Sequence, residues 1–200
     1  MEINLLLSYS SIHKKSYFVQ KNRTWCRKGK ILEDVLFQMM QYSDIIFGDQ
    51  NEWEIASGVP HIPFEALDEN YVIDREAYLS YFRKMHRLFP KCKKMVMAVR
   101  NQIASSHHTL SGLLYDTVED QLYTTRIYDI QPIVDPMGVG DAFIAAYIHA
   151  HQKWGDENQY CLDFSLSASA IKNTIPGDQN LVSEEEIISN MTSSGGRIQR

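Results

Sequence analysis

The residues with the clearest chemical meaning form a short run, Gly138-Val139-Gly140-Asp141, which follows an apolar segment and opens a helical one. Glycine lets backbone N–H groups approach an anion closely, and the N-terminus of a helix favours negative charge. A carboxylate in the first helical turn can accept the proton of a hydroxyl that attacks phosphorus. The run therefore predicts a phosphoryl-transfer site with Asp141 as the base. Taken alone, it is also typical of a tight turn before a helix-capping aspartate.

The longer segment 134–143 reads Val-Asp-Pro-Met-Gly-Val-Gly-Asp-Ala-Phe. It resembles the second signature of the PfkB, or ribokinase-like, carbohydrate kinases. The resemblance implies that residues 138–140 form the anion hole for the transferred phosphate and that Asp141 is the catalytic base. It also implies that Asp135 lies near a monovalent cation such as K⁺ or near the metal-bound nucleotide.

A second resemblance covers segments 167–178 and 180–182, which are similar to the adenine-side helix and loop of the 2-keto-3-deoxygluconate kinase branch. A helix of small side chains leaves room for a flat ring, and a Pro-Gly loop can wrap that ring. Small side chains are equally typical of close helix packing. The resemblance implies that the nucleotide is contacted by Ala168, Lys172, Pro176 and Gly177.

Two upstream segments add candidate ligands. Segment 42–52 resembles the family's strand followed by Asn-x-x-Glu, which is tied to magnesium and phosphate, although Asp49 replaces the asparagine here. Glu52 keeps the carboxylate, which suits a hard cation held through water. A helix N-cap with an acidic first turn explains Asp49 and Glu52 equally well. Arg100 resembles the branch's strand-end arginine, which can neutralise nucleotide phosphates; a surface salt bridge is the alternative.

The elements that must position these residues alternate along the chain. Apolar spacing and caps predict helices at 30–42, 50–57, 75–89, 139–153, 158–172 and 183–191. Apolar runs predict strands at 3–8, 44–47 and 94–99, a hairpin of 110–115 with 121–127, and a last strand ending at 133–134. This order predicts an α/β fold, a mainly parallel sheet flanked by helices, with ligands at the carboxyl ends of its strands.

The resemblance runs over most of the chain, from Ser43 to Met191, and omits the family's Gly-Gly signature, β-strand lid and most sugar contacts. It implies the C-terminal, ATP-binding portion of a Rossmann-type ribokinase-like domain at 1–191, without its lid, and a flexible tail at 192–200. We expect such a chain to be weak or inactive alone. An exposed sheet edge predicts a substitute strand within 1–17 or a homo-oligomer.

The implied activity is phosphorylation of a sugar acid, 2-keto-3-deoxygluconate, by ATP and Mg²⁺. Another sugar kinase of the family, such as a fructokinase or ribokinase, is one alternative, and a non-catalytic nucleotide-binding remnant is another. A generic dinucleotide-binding module would need an acidic residue about 20 positions after its glycines to bind the ribose. The candidate acidic residue, Asp163, falls in a predicted helix.

Composition excludes several other classes. The net charge of −5 over 200 residues leaves no basic footprint for nucleic acid. The three cysteines lack a Cys-x-x-Cys pair, which argues against structural zinc or a disulfide framework and for a reducing, cytoplasmic location. The short apolar patch near the start suits neither a signal peptide nor a membrane span.

Overall fold

The computed structural model describes residues 9–10, 15–19, 30–62 and 72–193. The strand predicted at 3–8 and most of the tail predicted at 192–200 lie outside these residues. The elements in chain order are β1 (Tyr9–Ser10), β2 (Lys15–Val19), α1 (Lys30–Gln41), β3 (Ile45–Phe47), α2 (Gln50–Ser57), α3 (Arg75–Leu88), β4 (Lys94–Ala104), β5 (His107–Asp116), β6 (Gln121–Thr124), β7 (Tyr128–Ile130), α4 (Val139–Trp154), α5 (Asn158–Lys172) and α6 (Glu184–Thr192).

The chain divides into two compact units. The first holds β1 to β3, α1 to α3, the beginning of β4 as far as Met97, and residues 114–122. The second holds the rest of the β4–β5 hairpin, from Ala98 to Leu113, and the described chain from Tyr123 onward. In neither unit does the structure describe a helix with the length and apolar character needed to cross a membrane.

The strands follow the hydrogen-bonded order β1-β2-β3-β4-β5-β6, with β7 paired to β5. Both β2 and β4 run parallel to β3, whereas β1 is antiparallel to β2 and β7 is antiparallel to β5. The α/β class is confirmed. Parallel pairing is found from β2 to β4. It does not continue to β5, because the two-residue turn that joins β4 to β5 can connect only antiparallel strands.

Two predicted strand ends differ from the structure. β4 continues past Val99 to Ala104, so Arg100 lies inside the strand and not at its end. The last strand is β7, and the prediction that a strand ends at 133–134 is wrong. There the backbone N–H of Ile133 donates to the carbonyl of Ser106, and that of Val134 donates to the carbonyl of Asn173. These residues therefore connect loops instead of extending the sheet.

In the first unit, helix caps and an aromatic core position the elements. The carboxylates of Asp49 and Asp74 accept N–H bonds from the first turns of α2 and α3, at 2.8 and 3.0 Å. Phe82 of α3 lies between Trp53 of α2 and Tyr115 of β5, with ring centroids 5.7 and 5.6 Å away. Aromatic packing of this kind fixes the two helices on the strand.

In the second unit, α4 and α5 pack closely, since α5 buries small side chains at Ser165 and at residues 167–170. The hydroxyl of Ser169 donates to the carbonyl of Val139 in the first turn of α4 at 3.0 Å. Helix α6 begins at a capping box formed by Ser183 and Glu186. It ends at Thr192, within the segment predicted as a tail.

Candidate active site

The glycine-containing corner, residues 134–141, is joined to the loop of residues 173–178 by hydrogen bonds. The backbone N–H groups of Val134 and Asp135 both donate to the carbonyl oxygen of Asn173, at 2.8 and 3.2 Å. The N–H of Gly177 donates to the Asp135 carboxylate at 2.9 Å. The two segments that the sequence analysis assigned to phosphate and to adenine therefore lie side by side.

The conformation of the corner depends on Gly138. Its backbone is left-handed, with φ of 75° and ψ of 0°. A Cβ atom at this position would lie 2.2 Å from the carbonyl oxygen of Asp178, which is closer than real Cβ contacts. Both the backbone conformation and the close approach of the loop therefore require glycine here.

Helix α4 starts at this corner without a side-chain cap. In α2 and α6 the side chains of Asp49 and Ser183 accept N–H bonds from the first turn, but the N-cap of α4 is Gly138, which has no side chain. The first N–H groups of a helix have no acceptor within the helix. An anion at this end would supply one, and the helix dipole would attract it.

Asp141 lies in the first turn of α4 and is exposed. An interior position would have excluded it as a base. The next two residues, Ala142 and Phe143, are 5% and 2% exposed and anchor this turn to the core of the unit. The helix thus buries one face while it keeps the Asp141 carboxylate in contact with solvent, close in sequence to the uncapped N–H groups.

Asp135 ties the corner to the loop with both carboxylate oxygens. Oδ1 accepts the N–H of Met137 at 2.9 Å, and Oδ2 accepts the N–H of Gly177 at 2.9 Å. These two bonds, that of Met137 first, lower the pKa of Asp135 below its ordinary value, and the charge of Lys172 acts in the same direction. Asp135 is therefore an ionised group with a structural task at the corner.

The four predicted nucleotide contacts of this loop and helix fall into two pairs. Pro176 and Gly177 are exposed. Ala168 and Lys172 are both 0% exposed, and the Lys172 ammonium donates to the carbonyl oxygen of Ile175 at 2.9 Å. Pro176 and Gly177 are therefore accessible to a ligand, whereas the buried Lys172 holds the loop through its hydrogen bond to Ile175.

Asp49 and Glu52 form the capping box of α2, so the helix-cap interpretation of these residues is confirmed. The Glu52 N–H donates to Asp49 Oδ1 at 2.8 Å, and the Asp49 N–H donates to Glu52 Oε2 at 2.9 Å. No cluster of three or more His, Cys, Asp or Glu side chains is placed to hold a metal in the described part of the chain. Mg²⁺ commonly uses one or two carboxylates plus substrate phosphates, so these residues fit a magnesium ion that arrives with a nucleotide.

Arg100 and Asp163 lie apart from the corner in sequence. Arg100 is exposed on β4. Burial is the main cause that lowers the pKa of His108, and the charge of Arg100 lowers that pKa further. Asp163 is half-buried within α5, where its carboxylate accepts a bond from Gln159 at 3.0 Å and burial raises its pKa. An acidic residue held in a helix does not match the ribose-binding position of a dinucleotide-binding module.

Sequence reasoning missed the parts that Asn173, Ile175 and Asp178 play at the corner. Each acts through its backbone carbonyl oxygen. That of Asn173 accepts the N–H groups of residues 134 and 135, and that of Ile175 accepts the Lys172 ammonium. The carbonyl oxygen of Asp178 packs against Gly138. Every residue type carries this oxygen. The side-chain pattern therefore held no signal for these roles.

No protein-family model and no curated protein matches the sequence. Solved structures do match. A 2-dehydro-3-deoxygluconokinase from Thermotoga maritima has a TM-score of 0.74 and 26% identity over 88% of this chain and 50% of its own. A PfkB family carbohydrate kinase from Listeria grayi has a TM-score of 0.72 and 24% identity, with the same coverage. An Arabidopsis thaliana ribokinase solved with ribose and ATP has a TM-score of 0.53 and 17% identity over 79% of this chain and 44% of its own.

The chain thus spans about half the length of the solved kinases it matches. The match extends over 88% of this chain. The chain therefore has the ribokinase-like fold of the PfkB carbohydrate kinases, and it is similar in sequence to the Thermotoga kinase.

Proposed function

We propose that this chain is the ATP-binding part of a sugar kinase that phosphorylates a sugar acid, with 2-keto-3-deoxygluconate as the candidate substrate. The observation that carries the proposal is the uncapped N-terminus of α4, with an exposed carboxylate in its first turn, at a corner that requires glycine. Likeness to a 2-dehydro-3-deoxygluconokinase supports the sugar acid, and likeness to a ribokinase solved with ATP supports the phosphoryl donor.

In the proposed reaction, the N–H groups of residues 138–140 and the dipole of α4 stabilise the negative charge on the phosphoryl group in transfer. This stabilisation is effective only where the donors are fixed before the reaction begins. The backbone bonds to Asn173 and the two bonds to Asp135 supply that rigidity.

Asp141 accepts the proton of the sugar hydroxyl as the hydroxyl oxygen attacks the γ-phosphorus of ATP. The bond from that phosphorus to the bridging oxygen breaks, and ADP leaves with the bonding electrons. A positioned base of this kind contributes about 10²- to 10⁴-fold to the rate. Exposure of Asp141 fits this role, since the carboxylate must reach a substrate that comes from solvent.

The remaining contacts would hold the nucleotide. Pro176 and Gly177 would face the adenine end, and Arg100 would neutralise phosphate charge. Bound magnesium supplies further neutralisation of the phosphates. Glu52, through water, and Asp49 would hold this ion while they continue to cap α2.

Replacement of Asp141 by Asn tests the central role. We expect Asp141→Asn to lower ADP release with 2-keto-3-deoxygluconate by about 10²- to 10⁴-fold, because Asn cannot accept the proton. ATP affinity by calorimetry should stay unchanged. The control is Glu157→Gln, which neutralises an exposed carboxylate that does not cap α5. Full turnover by Asp141→Asn would show that another group is the base.

A second candidate function is nucleotide binding without phosphoryl transfer. Phosphoryl transfer depends on the joint positioning of two substrates. A kinase should release ADP and change its ATP affinity when the sugar acid is added, whereas a nucleotide-binding protein should bind ATP equally with and without the sugar and release no ADP.

A further inference from the structure

Lys172, the last residue of α5, carries a buried cationic side chain in the second unit. The residue is 0% exposed, and its Nζ atom donates to the carbonyl oxygen of Ile175 at 2.9 Å. A lysine ammonium is strongly hydrated in water, and its burial is costly unless polar groups replace that water.

The loop that Lys172 holds is the loop that meets the glycine corner. Gly177, which follows Ile175 closely in this loop, donates its N–H to Asp135, and Asp135 also accepts the N–H of Met137. The charge of Lys172 is one of the causes that keep Asp135 ionised. A continuous set of contacts thus leads from the ammonium through the loop and the carboxylate to the corner.

The resemblance to PfkB kinases implied a monovalent cation near Asp135. The residues present do not fit a second cation there, because both carboxylate oxygens of Asp135 already accept N–H bonds and the carbonyl oxygen of Ile175 already accepts the Lys172 ammonium. An ammonium group and a small monovalent cation offer carbonyl and carboxylate oxygens the same charge. The difference is that the ammonium is attached to the chain and cannot leave.

We propose that the buried ammonium of Lys172 is a built-in monovalent cation that positions the loop of residues 173–178 and the Asp135 carboxylate. Lys172 is then a positioning residue and not a ligand of the nucleotide. The effect on ATP binding rests on the proposed function, whereas the effect on the folded loop does not. It follows that the protein is indifferent to which monovalent cation is in solution.

The test compares thermal unfolding in equal concentrations of potassium, ammonium and tetramethylammonium chloride. The wild-type protein should unfold at one temperature in all three salts. Lys172→Met should unfold about 2–8 °C lower in tetramethylammonium. It should regain part of this loss in potassium or ammonium, because these ions are small enough to enter the space left by the ammonium. Lys153→Met is the control, since it removes an exposed lysine of α4 in the same unit.

ATP affinity measured by calorimetry in the same salts separates this proposal from the proposed function. Lys172→Met should bind ATP about tenfold more weakly in tetramethylammonium, the factor expected when a charge-assisted hydrogen bond is lost. A wild-type protein that binds no ATP contradicts the proposed function while the unfolding comparison still decides the role of Lys172.

Two results would overturn the built-in cation. One is a Lys172→Met variant whose unfolding temperature shows no more dependence on the cation than that of Lys153→Met. The other is a wild-type protein whose ATP affinity rises when potassium replaces tetramethylammonium. If methionine at this position prevents folding, Lys172→Gln carries the same comparison, since its amide keeps a donor for the Ile175 carbonyl oxygen.

Discussion

Gly138 and Gly58 adopt nearly the same left-handed backbone, with φ and ψ of 75° and 0° at Gly138 and 71° and 5° at Gly58. Their surroundings differ. A Cβ atom at Gly138 would lie 2.2 Å from the Asp178 carbonyl oxygen, whereas nothing lies within 4 Å of one at Gly58. Alanine at the two positions therefore separates the energy of the backbone conformation from that of the steric contact.

We expect Gly58→Ala to destabilise the fold by about 1–2 kcal/mol, the energy of a left-handed backbone for a residue with a Cβ atom. Gly138→Ala should be more destabilising and should weaken ATP binding, because the loop at Asp178 must move away from the corner. Urea unfolding and calorimetry measure the two effects. Equal stability of the two variants, with unchanged ATP affinity, would contradict the close approach.

At the residue scale, the sequence predicted the location of Asp141 correctly because its signal is local: glycines before it, and a helix after it. Its role as a base stays a prediction. The environment of Lys172 was not predicted, since burial depends on which segments fold over it. In the sequence, a lysine next to a candidate nucleotide loop indicates a contact with the ligand. In the structure, the Lys172 ammonium donates to the carbonyl oxygen of Ile175.

At the element scale, helices were predicted better than strands. Helix starts depend on caps that lie within a few residues, as Asp74 and Ser183 show. Strands depend on distant partners. The polar residues after Val99 gave no strand pattern, yet β4 includes them, and the Asn101 side chain donates to Thr109 of β5 at 3.2 Å. β7 likewise exists through its pairing with β5.

The turn between β5 and β6 is held by Asp120. Its carboxylate accepts bonds from the Arg83 guanidinium and the Tyr115 hydroxyl, at 2.9 and 2.7 Å. These bonds, that of Arg83 first, lower the pKa of Asp120 from 3.8 to about 2. Because the folded pKa lies below the unfolded one, the stabilisation is present above pH 3.8 and is lost as the pH falls towards 2.

We therefore expect Asp120→Asn to unfold at lower urea than the wild type at pH 7, and the gap between them to close as the pH falls from about 4 to about 2. Asn tolerates the left-handed backbone at this position, where φ is 53°. Glu119→Gln, an exposed change in the same turn, is the control. A gap of constant size over this pH range would show that the loss comes from the turn shape and not from the charge.

At the scale of the whole molecule, the predicted site residues are divided between the two compact units. Those proposed for the nucleotide and for proton transfer lie in the second unit, and the two proposed for magnesium, Asp49 and Glu52, lie in the first. The sequence predicted the ribokinase-like fold because its short motifs are local. It could not predict the two-unit division, which depends on contacts throughout the chain. The homo-oligomer stays a prediction.

Hydrogen exchange over the whole chain tests both assignments in one experiment, with a non-hydrolysable ATP analogue as the probe. The analogue alone should slow exchange at the first turn of α4 and in residues 174–178, because it covers those N–H groups, and should leave α3 unchanged. Magnesium added with the analogue should extend protection to the first turn of α2, where the Glu52 N–H lies, while magnesium alone should not. Protection spread evenly over both units would contradict the nucleotide site. If magnesium does not slow exchange at the first turn of α2, Asp49 and Glu52 are not ligands of the metal.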